Sequence, residues 1–138
     1  MINLNATPET WPEPVTVLIA EDDVLVRLMV AEALREAGFC VSEAVHADEA
    51  ITILNTMQVD VVVTDLHMRA AQDGLKVANY VREHCPGTPV LLASEQTLPV
   101  DGFRFDGFFI KPYRPEAIVA WIKRHITAVL TCTQGDLP

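Results

Sequence analysis

Short apolar runs alternate with helix-periodic stretches along this chain. Runs that are β-branched and nearly free of charge are typical of strands covered on both faces of a sheet. They predict five strands, at residues 15–20, 39–44, 59–64, 89–93 and 108–110. Apolar residues at three- and four-residue steps predict helices after Asp23 up to Gly38, at 48–57, at 75–84 and from Pro115 onward.

The same periodicity predicts which residues of each helix face the core. The periodic residues are Leu25, Leu28, Met29, Glu32 and Ala33 in the first helix, and the expected inward residues are Ile51, Leu54 and Met57 in the second, Leu75, Ala78 and Val81 in the third, and Ile118, Trp121 or Ile122, Ile126 and Val129 in the last. Between the last two strands, residues 95–107 contain proline and glycine and show no clear period. At most a short helix fits there.

Strands that alternate with helices predict an α/β fold, in which right-handed crossovers build a doubly wound parallel sheet with helices on both faces. Five strands in 138 residues suit the flavodoxin-like order 2-1-3-4-5, with the fourth helix short or absent. We expect a flexible arm at 1–14, which holds three prolines, a domain at 15–127 and a tail at 128–138.

Composition narrows the functional class. The chain has 10 Lys and Arg against 19 Asp and Glu, a net charge of −9 and a pI of about 4.7, which is the wrong sign for contact with nucleic acid or anionic lipid. No signal peptide or membrane span is evident. Cys40, Cys85 and Cys132 form no Cys-x-x-Cys pair, so we expect small core residues in a reducing cytoplasm.

Acidic residues follow two strands that the predicted strand order places side by side. Glu21 and Asp22 come directly after the first strand, and Asp65 follows the third. At this switch point the three carboxylates should converge on one crevice, where like charges repel unless a cation lies among them. An all-oxygen cluster of this kind suits Mg²⁺ or Mn²⁺. Asp23 is expected to cap the next helix.

Two further polar residues stand at the same edge of the sheet, Ser94 after the fourth strand and Lys111 after the fifth. A carboxylate beside Mg²⁺ can attack a phosphoryl group, and such a site needs a second cation and a hydroxyl for the phosphoryl oxygens. Taken singly, each residue has a plain structural explanation, such as a helix cap or a solvated strand end. Their joint placement favours a phosphoacceptor site.

The chain resembles a bacterial two-component response-regulator receiver domain of the single-domain, chemotaxis-receiver-like type, over about residues 15–127. The residues that carry the resemblance are the acidic pair in Leu18-Ile19-Ala20-Glu21-Asp22-Asp23, Asp65 in Val63-Thr64-Asp65-Leu66-His67-Met68, Asp73-Gly74, Ser94 after Pro89-Val90-Leu91-Leu92-Ala93, and Phe108-Phe109-Ile110-Lys111-Pro112-Tyr113. All five active-site positions match in type and order.

The resemblance implies that Asp65 accepts a phosphoryl group. The expected metal ligands are oxygens of four residues: Glu21, Asp22, Asp65 and, through its main-chain carbonyl, His67. Three more residues are expected to contact the phosphoryl group or to switch with it: Lys111 by pairing, Ser94 by moving toward it and Phe108 by rotating inward.

Departures from the family pattern alter the surroundings of this site. Arg69 stands where the family usually has proline, and it brings a cation near the site. The loop that follows is about one residue longer than usual, and the stretch from Ser94 to Lys111 is about one helical turn shorter. Because His67 lies two residues after Asp65, we expect its side chain to tune dephosphorylation.

We expect a stand-alone receiver that takes its phosphoryl group from a sensor histidine kinase or a histidine phosphotransfer protein and signals through an unidentified downstream protein. It would be no enzyme for outside substrates, and a homodimer is compatible with this function. The alternative is an interaction module of receiver ancestry that no longer depends on phosphorylation. A Mg²⁺-dependent phosphatase is a weaker hypothesis, because no Asp-x-Asp pair follows Asp65 to supply its acid and base.

Overall fold

A computed structural model describes residues 14–70, 73–95 and 105–135, with side chains up to Ile126. The strands are β1 (Thr16–Ala20), β2 (Cys40–Ala44), β3 (Val61–Asp65), β4 (Val90–Ser94) and β5 (Gly107–Ile110). The helices are α1 (Val24–Glu36), α2 (Ala47–Thr56), α3 (Asp73–His84) and α4 (Pro115–Gly135). The predicted strands and helices are confirmed, with small shifts at their ends.

The five strands form one parallel sheet in the order β2-β1-β3-β4-β5. This confirms the α/β, flavodoxin-like, doubly wound fold. The central strands are buried almost throughout, because helices cover both faces of the sheet. The short or absent fourth helix was predicted for 95–107, of which residues 96–104 lie outside the described residues, as do residues 1–13 of the predicted arm.

Alternate residues of the central strands face opposite layers of the core. Val17 and Ile19 of β1 pack with Ile122 of α4 on one side of the sheet. Leu18, which lies between them, packs on the other side with Val81 of α3. This period of two is the pattern of a strand with two covered faces. The edge of the sheet that carries the polar residues is therefore held between two packed cores.

The inward faces predicted for α3 and α4 are confirmed as far as the described side chains reach. The buried residues include Leu75, Ala78, Val81, Ile118, Ile122 and Ile126. In α4 it is Ile122, and not Trp121, that is fully buried. Within the described residues no helix is both long and apolar enough to cross a membrane.

The buried face of α1 is not the one that the periodic residues indicated. The residues that pack into the core are Val30, Ala31 and Leu34. Three of the periodic residues are exposed, Leu25 by 73%, Leu28 by 47% and Met29 by 56%. The helix has apolar residues on two sides, so periodicity alone could not decide between them. We call the exposed set, with Val24, the α1 apolar face.

Two smaller predictions also need correction. Met57 is 43% exposed because α2 ends one residue before it. Cys40 is exposed at the start of the edge strand β2 and is therefore not a core residue. The chain predicted as a tail, 128–138, is helical up to Gly135, since α4 continues past residue 127. The domain boundaries themselves stay predictions.

A glycine lets α3 begin directly against the end of β3. The N–H of Gly74 donates to the carbonyl of Leu66 at 2.8 Å. A Cβ at this position would overlap with the main-chain carbonyl oxygen of Asp65. Only a residue without a side chain can approach the strand this closely. Gly74 therefore helps to fix the main chain at Asp65.

We predict that Gly74→Ala lowers the free energy of unfolding by about 2 kcal/mol, because the added methyl group forces α3 away from β3. Urea unfolding followed by circular dichroism measures the change. Gly87→Ala is the matched control, since a Cβ there meets nothing within 4 Å. Its free energy of unfolding should change by less than about 0.5 kcal/mol. Equal stability of the two variants would contradict the close approach at Gly74.

Candidate functional site

Three carboxylates converge at the carboxyl end of the sheet, where β1 and β3 are neighbours. One oxygen from each of Glu21, Asp22 and Asp65 lies within 4.8 Å of the other two. Glu21 and Asp65 are buried, at 3% and 8% exposure, whereas Asp22 faces solvent. Three oxygen donors at this spacing, one of them open to water, fit a hard divalent cation such as Mg²⁺.

The loop between β1 and α1 positions the first two acids. The N–H of Glu21 donates to the carbonyl of Ala44 at 3.0 Å, which continues the contact between β1 and β2. As predicted, Asp23 caps α1, and its side chain accepts hydrogen bonds from two N–H groups of the first turn at 3.0 and 3.2 Å. Asp22 is thus held between a residue tied to the sheet and a helix cap.

Lys111 brings a positive charge into the cluster. Its Nζ lies 2.6 Å from Glu21 Oε1 and 3.2 Å from Asp65 Oδ2, and its side chain is largely buried. The main-chain N–H of Lys111 donates to the carbonyl of Ser94 at 2.7 Å, which ties the end of β5 to the end of β4. One ammonium group therefore contacts both buried carboxylates.

Burial and charge act in opposite directions on these groups. Burial raises the pKa of Glu21 to about 7, although the hydrogen bond from Lys111 opposes the rise. Burial likewise raises the pKa of Asp65, against the attraction of Lys111. Burial alone would lower the pKa of Lys111, but its bonds with Glu21 and Asp65 outweigh that effect and raise it. Burial therefore disfavours the ionised form of both acids even beside Lys111, and a further cation would stabilise that form.

The remaining predicted site residues lie at the same edge of the sheet or at its margin. Ser94 is buried at the end of β4. Phe108 is half-buried against a small leucine cluster, and its ring centroid lies 6.0 Å from that of Phe105. His67 is half-buried beside the acids, and Arg69 is exposed. The roles predicted for these four residues stay predictions.

An open cavity of about 400 Å³ lies over the acids. Its lining consists of Glu21, Asp22, Asp23, Asp65, His67, Glu95 and Lys111. Sequence reasoning did not select Glu95, although its position directly after Ser94, at the end of β4, was a usable signal. The cavity gives a ligand direct access to the carboxylate of Asp65.

An apolar groove of about 540 Å³ adjoins this cavity, and Lys111 and Glu95 line both. The groove is otherwise lined by Val26, Met29, Val30, Pro112, Tyr113 and Pro115. Met29 also belongs to the α1 apolar face. The acidic cavity is therefore bordered on one side by an apolar groove that reaches Met29 of α1.

Comparison with known proteins identifies the family. A family model described as the response regulator receiver domain matches residues 17–123. The chain belongs to the response-regulator receiver family. It is a receiver domain of a two-component response regulator, a signalling domain of the kind that takes phosphoryl groups from histidine kinases and interacts with other proteins. This confirms the resemblance drawn from the strand-end residues.

Two curated relatives come from Mycobacterium tuberculosis. TcrX, described as a probable transcriptional regulatory protein, is 32% identical over 130 residues, which cover 89% of this chain and 55% of TcrX. The transcriptional regulatory protein PdtaR is 32% identical over 131 residues, which cover 90% of this chain and 63% of PdtaR. The chain thus spans between half and two thirds of the length of these receiver-domain relatives.

Solved structures of receivers share the fold. The chemotaxis response regulator CheY4 of Vibrio cholerae superposes with a TM-score of 0.73 at 26% identity, over 81% of this chain and 98% of that one. The response regulator TrrA of Thermotoga maritima, solved in complex with Mg²⁺ and BeF, gives a TM-score of 0.72 at 21% identity, over 80% and 97%. These matches support the strand order and the helix layers described above.

We predict that, in metal-free buffer, the free energy of unfolding falls as the pH rises from about 4.5 to about 7. The folded-state pKa of Glu21 is raised from 4.5 to about 7, so in this window the folded protein keeps a proton that the unfolded chain loses. Urea unfolding at several pH values in EDTA measures the slope. Glu21→Gln has no proton to lose here and should flatten it. A stability that rises across this window would contradict the prediction.

We predict that Lys111→Met binds Mg²⁺ several-fold more tightly than the native protein at about pH 8, because an ammonium group in contact with Glu21 and Asp65 opposes a second cation. Isothermal titration calorimetry with MgCl₂ measures the affinity. Lys76→Met is the control, since Lys76 pairs with Asp48 on the exposed surface, away from the acids. Unchanged or weaker binding in Lys111→Met would show that no such competition exists.

Proposed function

We propose that Asp65 accepts a phosphoryl group from a sensor histidine kinase or a histidine phosphotransfer protein in a Mg²⁺-dependent step, and that the phosphorylated chain signals through altered contacts with another protein. The observation that carries this proposal is the single cluster of Asp65, Glu21, Asp22 and Lys111, which opens into a solvent-accessible cavity. A cytoplasmic location is part of the proposal.

The geometry suits the transfer step. A carboxylate oxygen of Asp65 forms a bond to phosphorus, while the bond between phosphorus and the donor's histidine nitrogen breaks and that nitrogen keeps the electron pair. Lys111 is already in contact with Asp65, so its ammonium can follow the new negative charge. Glu21, Asp22 and Asp65 would hold Mg²⁺, with the main-chain carbonyl of His67 as a further ligand. When bound, Mg²⁺ supplies charge neutralisation for the phosphoryl oxygens.

The signalling step is proposed to run through Ser94 and Phe108. Ser94 is buried at the end of β4, the strand next to that of Asp65, and its carbonyl accepts a hydrogen bond from the N–H of Lys111. A shift of Ser94 would therefore move the turn after β5. Phe108 is in register with Leu92 of β4 and packs beside it. Movement of Ser94 toward a phosphoryl group would leave space for the ring of Phe108 to turn inward and would change the surface around β5.

The nearby apolar surface supports a protein as the phosphoryl donor. The groove beside Lys111 adjoins the cavity over Asp65, and Met29 of the α1 apolar face lines that groove. A small anionic phosphodonor would leave such an apolar surface exposed to water, whereas a protein donor can bury it. That the receiver acts without an attached effector domain stays a prediction, since the curated relatives are longer than this chain.

The direct test is intact-protein mass spectrometry after incubation with acetyl phosphate and MgCl₂. We predict that the native protein gains the mass of one phosphoryl group and that Asp65→Asn gains none, because an amide cannot form the acyl phosphate. EDTA should abolish the gain. Asp60→Asn is the matched control, since Asp60 precedes the same strand at the opposite edge of the sheet and bonds the N–H of Thr16.

Two outcomes would overturn the proposal. Equal labelling of Asp65→Asn and the native protein would place the phosphoryl group elsewhere. No labelling of the native protein by acetyl phosphate or by a panel of purified phosphorylated histidine kinases, at a Mg²⁺ concentration shown by calorimetry to saturate the site, would favour the phosphorylation-independent interaction module.

A further inference from the structure

Arg27, at the end of the first turn of α1, is bonded to the loop that carries the acids. Its Nη1 donates to the main-chain carbonyl of Glu21 at 3.1 Å. Its Nε donates to Glu43 Oε1, also at 3.1 Å, and the arginine side chain is only 13% exposed. Glu43 lies on β2, one residue before Ala44, whose carbonyl accepts from the N–H of Glu21. Arg27 thus ties the acidic loop to the edge strand a second time.

These contacts restrict the peptide group between Glu21 and Asp22. The carbonyl of Glu21, which belongs to this peptide group, is bonded to β2 through Arg27 and Glu43, while the N–H of Glu21, in the preceding peptide group, is bonded to β2 directly. The orientation of this peptide plane sets the direction in which the next residue, Asp22, projects its carboxylate. Asp22 is the exposed member of the acidic cluster, so it lacks the packing that holds the other two acids.

We propose that Arg27 is a positioning residue for the metal site: by donating both to the carbonyl of Glu21 and to the Glu43 carboxylate of β2, it aims Asp22 and Glu21 at a shared Mg²⁺. The inference rests on the proposed function, because it assumes that these acids bind the ion. Arg27 itself does not contact the ion. It acts through the main chain, as residues that orient metal ligands do.

The direction in which removal of Arg27 changes the Mg²⁺ affinity distinguishes a positioning role from a purely electrostatic one. Arg27 brings a positive charge to the main chain between Glu21 and Asp22, two of the proposed ligands, so its removal should by charge alone make Mg²⁺ binding tighter. If Arg27 positions the ligands, its removal should instead make Mg²⁺ binding weaker. Without Arg27 the acidic loop is less ordered before binding, and the conformational entropy lost when Mg²⁺ orders it lowers the affinity. Weaker binding in a variant that has lost a nearby positive charge has no electrostatic explanation.

The chain offers a matched control in Arg35. Its Nη2 donates to the other carboxylate oxygen of Glu43, also at 3.1 Å, but it bonds the carbonyl of Val41 and not the acidic loop. Arg35→Gln therefore loses an arginine bond to the same glutamate without releasing the Glu21 carbonyl. Arg27→Lys is a second variant, which keeps the charge but cannot donate to Glu43 and to the Glu21 carbonyl in the same forked geometry.

The test measures Mg²⁺ binding to the unphosphorylated proteins by isothermal titration calorimetry, with thermal unfolding recorded in EDTA for each variant. We expect Arg27→Gln to bind Mg²⁺ about tenfold more weakly, Arg27→Lys to be weakened as well, and Arg35→Gln to bind like the native protein. At saturating Mg²⁺, the rate of labelling of Arg27→Gln by acetyl phosphate should return to nearly the native rate, because Asp65 and Lys111 are unaltered.

Unchanged or tighter binding in both Arg27 variants would overturn the inference, and so would equal weakening in Arg35→Gln. If Arg27→Gln fails to fold, the affinity of Arg27→Lys decides the question. A native protein that binds no Mg²⁺ would overturn the proposed function together with this inference. A native protein that binds Mg²⁺ and is phosphorylated on Asp65, while Arg27→Gln binds equally well, would overturn the inference alone.

Discussion

The contact of Lys111 with Glu21 and Asp65 is the interaction on which the rest of the site depends. Burial raises the pKa values of both Glu21 and Asp65, and repulsion adds to it, since Asp65 raises the pKa of Glu21 and Asp22 raises that of Asp65. A single ammonium group from the turn after β5 relieves this, but it leaves the three acids with an excess of negative charge. That excess of negative charge favours the binding of a divalent cation beside the three carboxylates.

The sheet supplies the geometry for this contact. Parallel strands end at one edge, so residues distant in sequence meet there without any special loop. Close packing makes the arrangement rigid: Gly74 allows α3 to press against the main chain of Asp65, and the carbonyl of Ser94 holds the N–H of Lys111. The same rigidity transmits change, because a residue that moves in a packed interior forces its neighbours to move as well.

Sequence patterns predicted the strand order and the convergence of the acids because both depend on simple periodicities. The apolar runs of β1, β3 and β4 are buried on two faces, and the acids stand where β1 and β3 end. The face of α1 could not be predicted in this way, since two apolar stripes on one helix satisfy the same period. Nor could the contact of Arg27 with the Glu21 carbonyl be predicted, because it depends on the side chain reaching back along the helix to a main-chain atom. Glu95 shares this difficulty, since a lone acid after a serine has no pattern of its own.

The α1 apolar face lies on a molecule of strongly negative charge. Leu28 is followed one helical turn later by the exposed Glu32, and the chain as a whole carries a net charge of −9. Two copies that met through this face would have to bring like charges together, and salt screens that repulsion over a Debye length of about 8 Å at physiological ionic strength. Apolar attraction and electrostatic repulsion therefore act at the same surface, so self-association through the exposed leucines and methionine should depend on the ionic strength of the solution. A basic partner protein would not experience this repulsion.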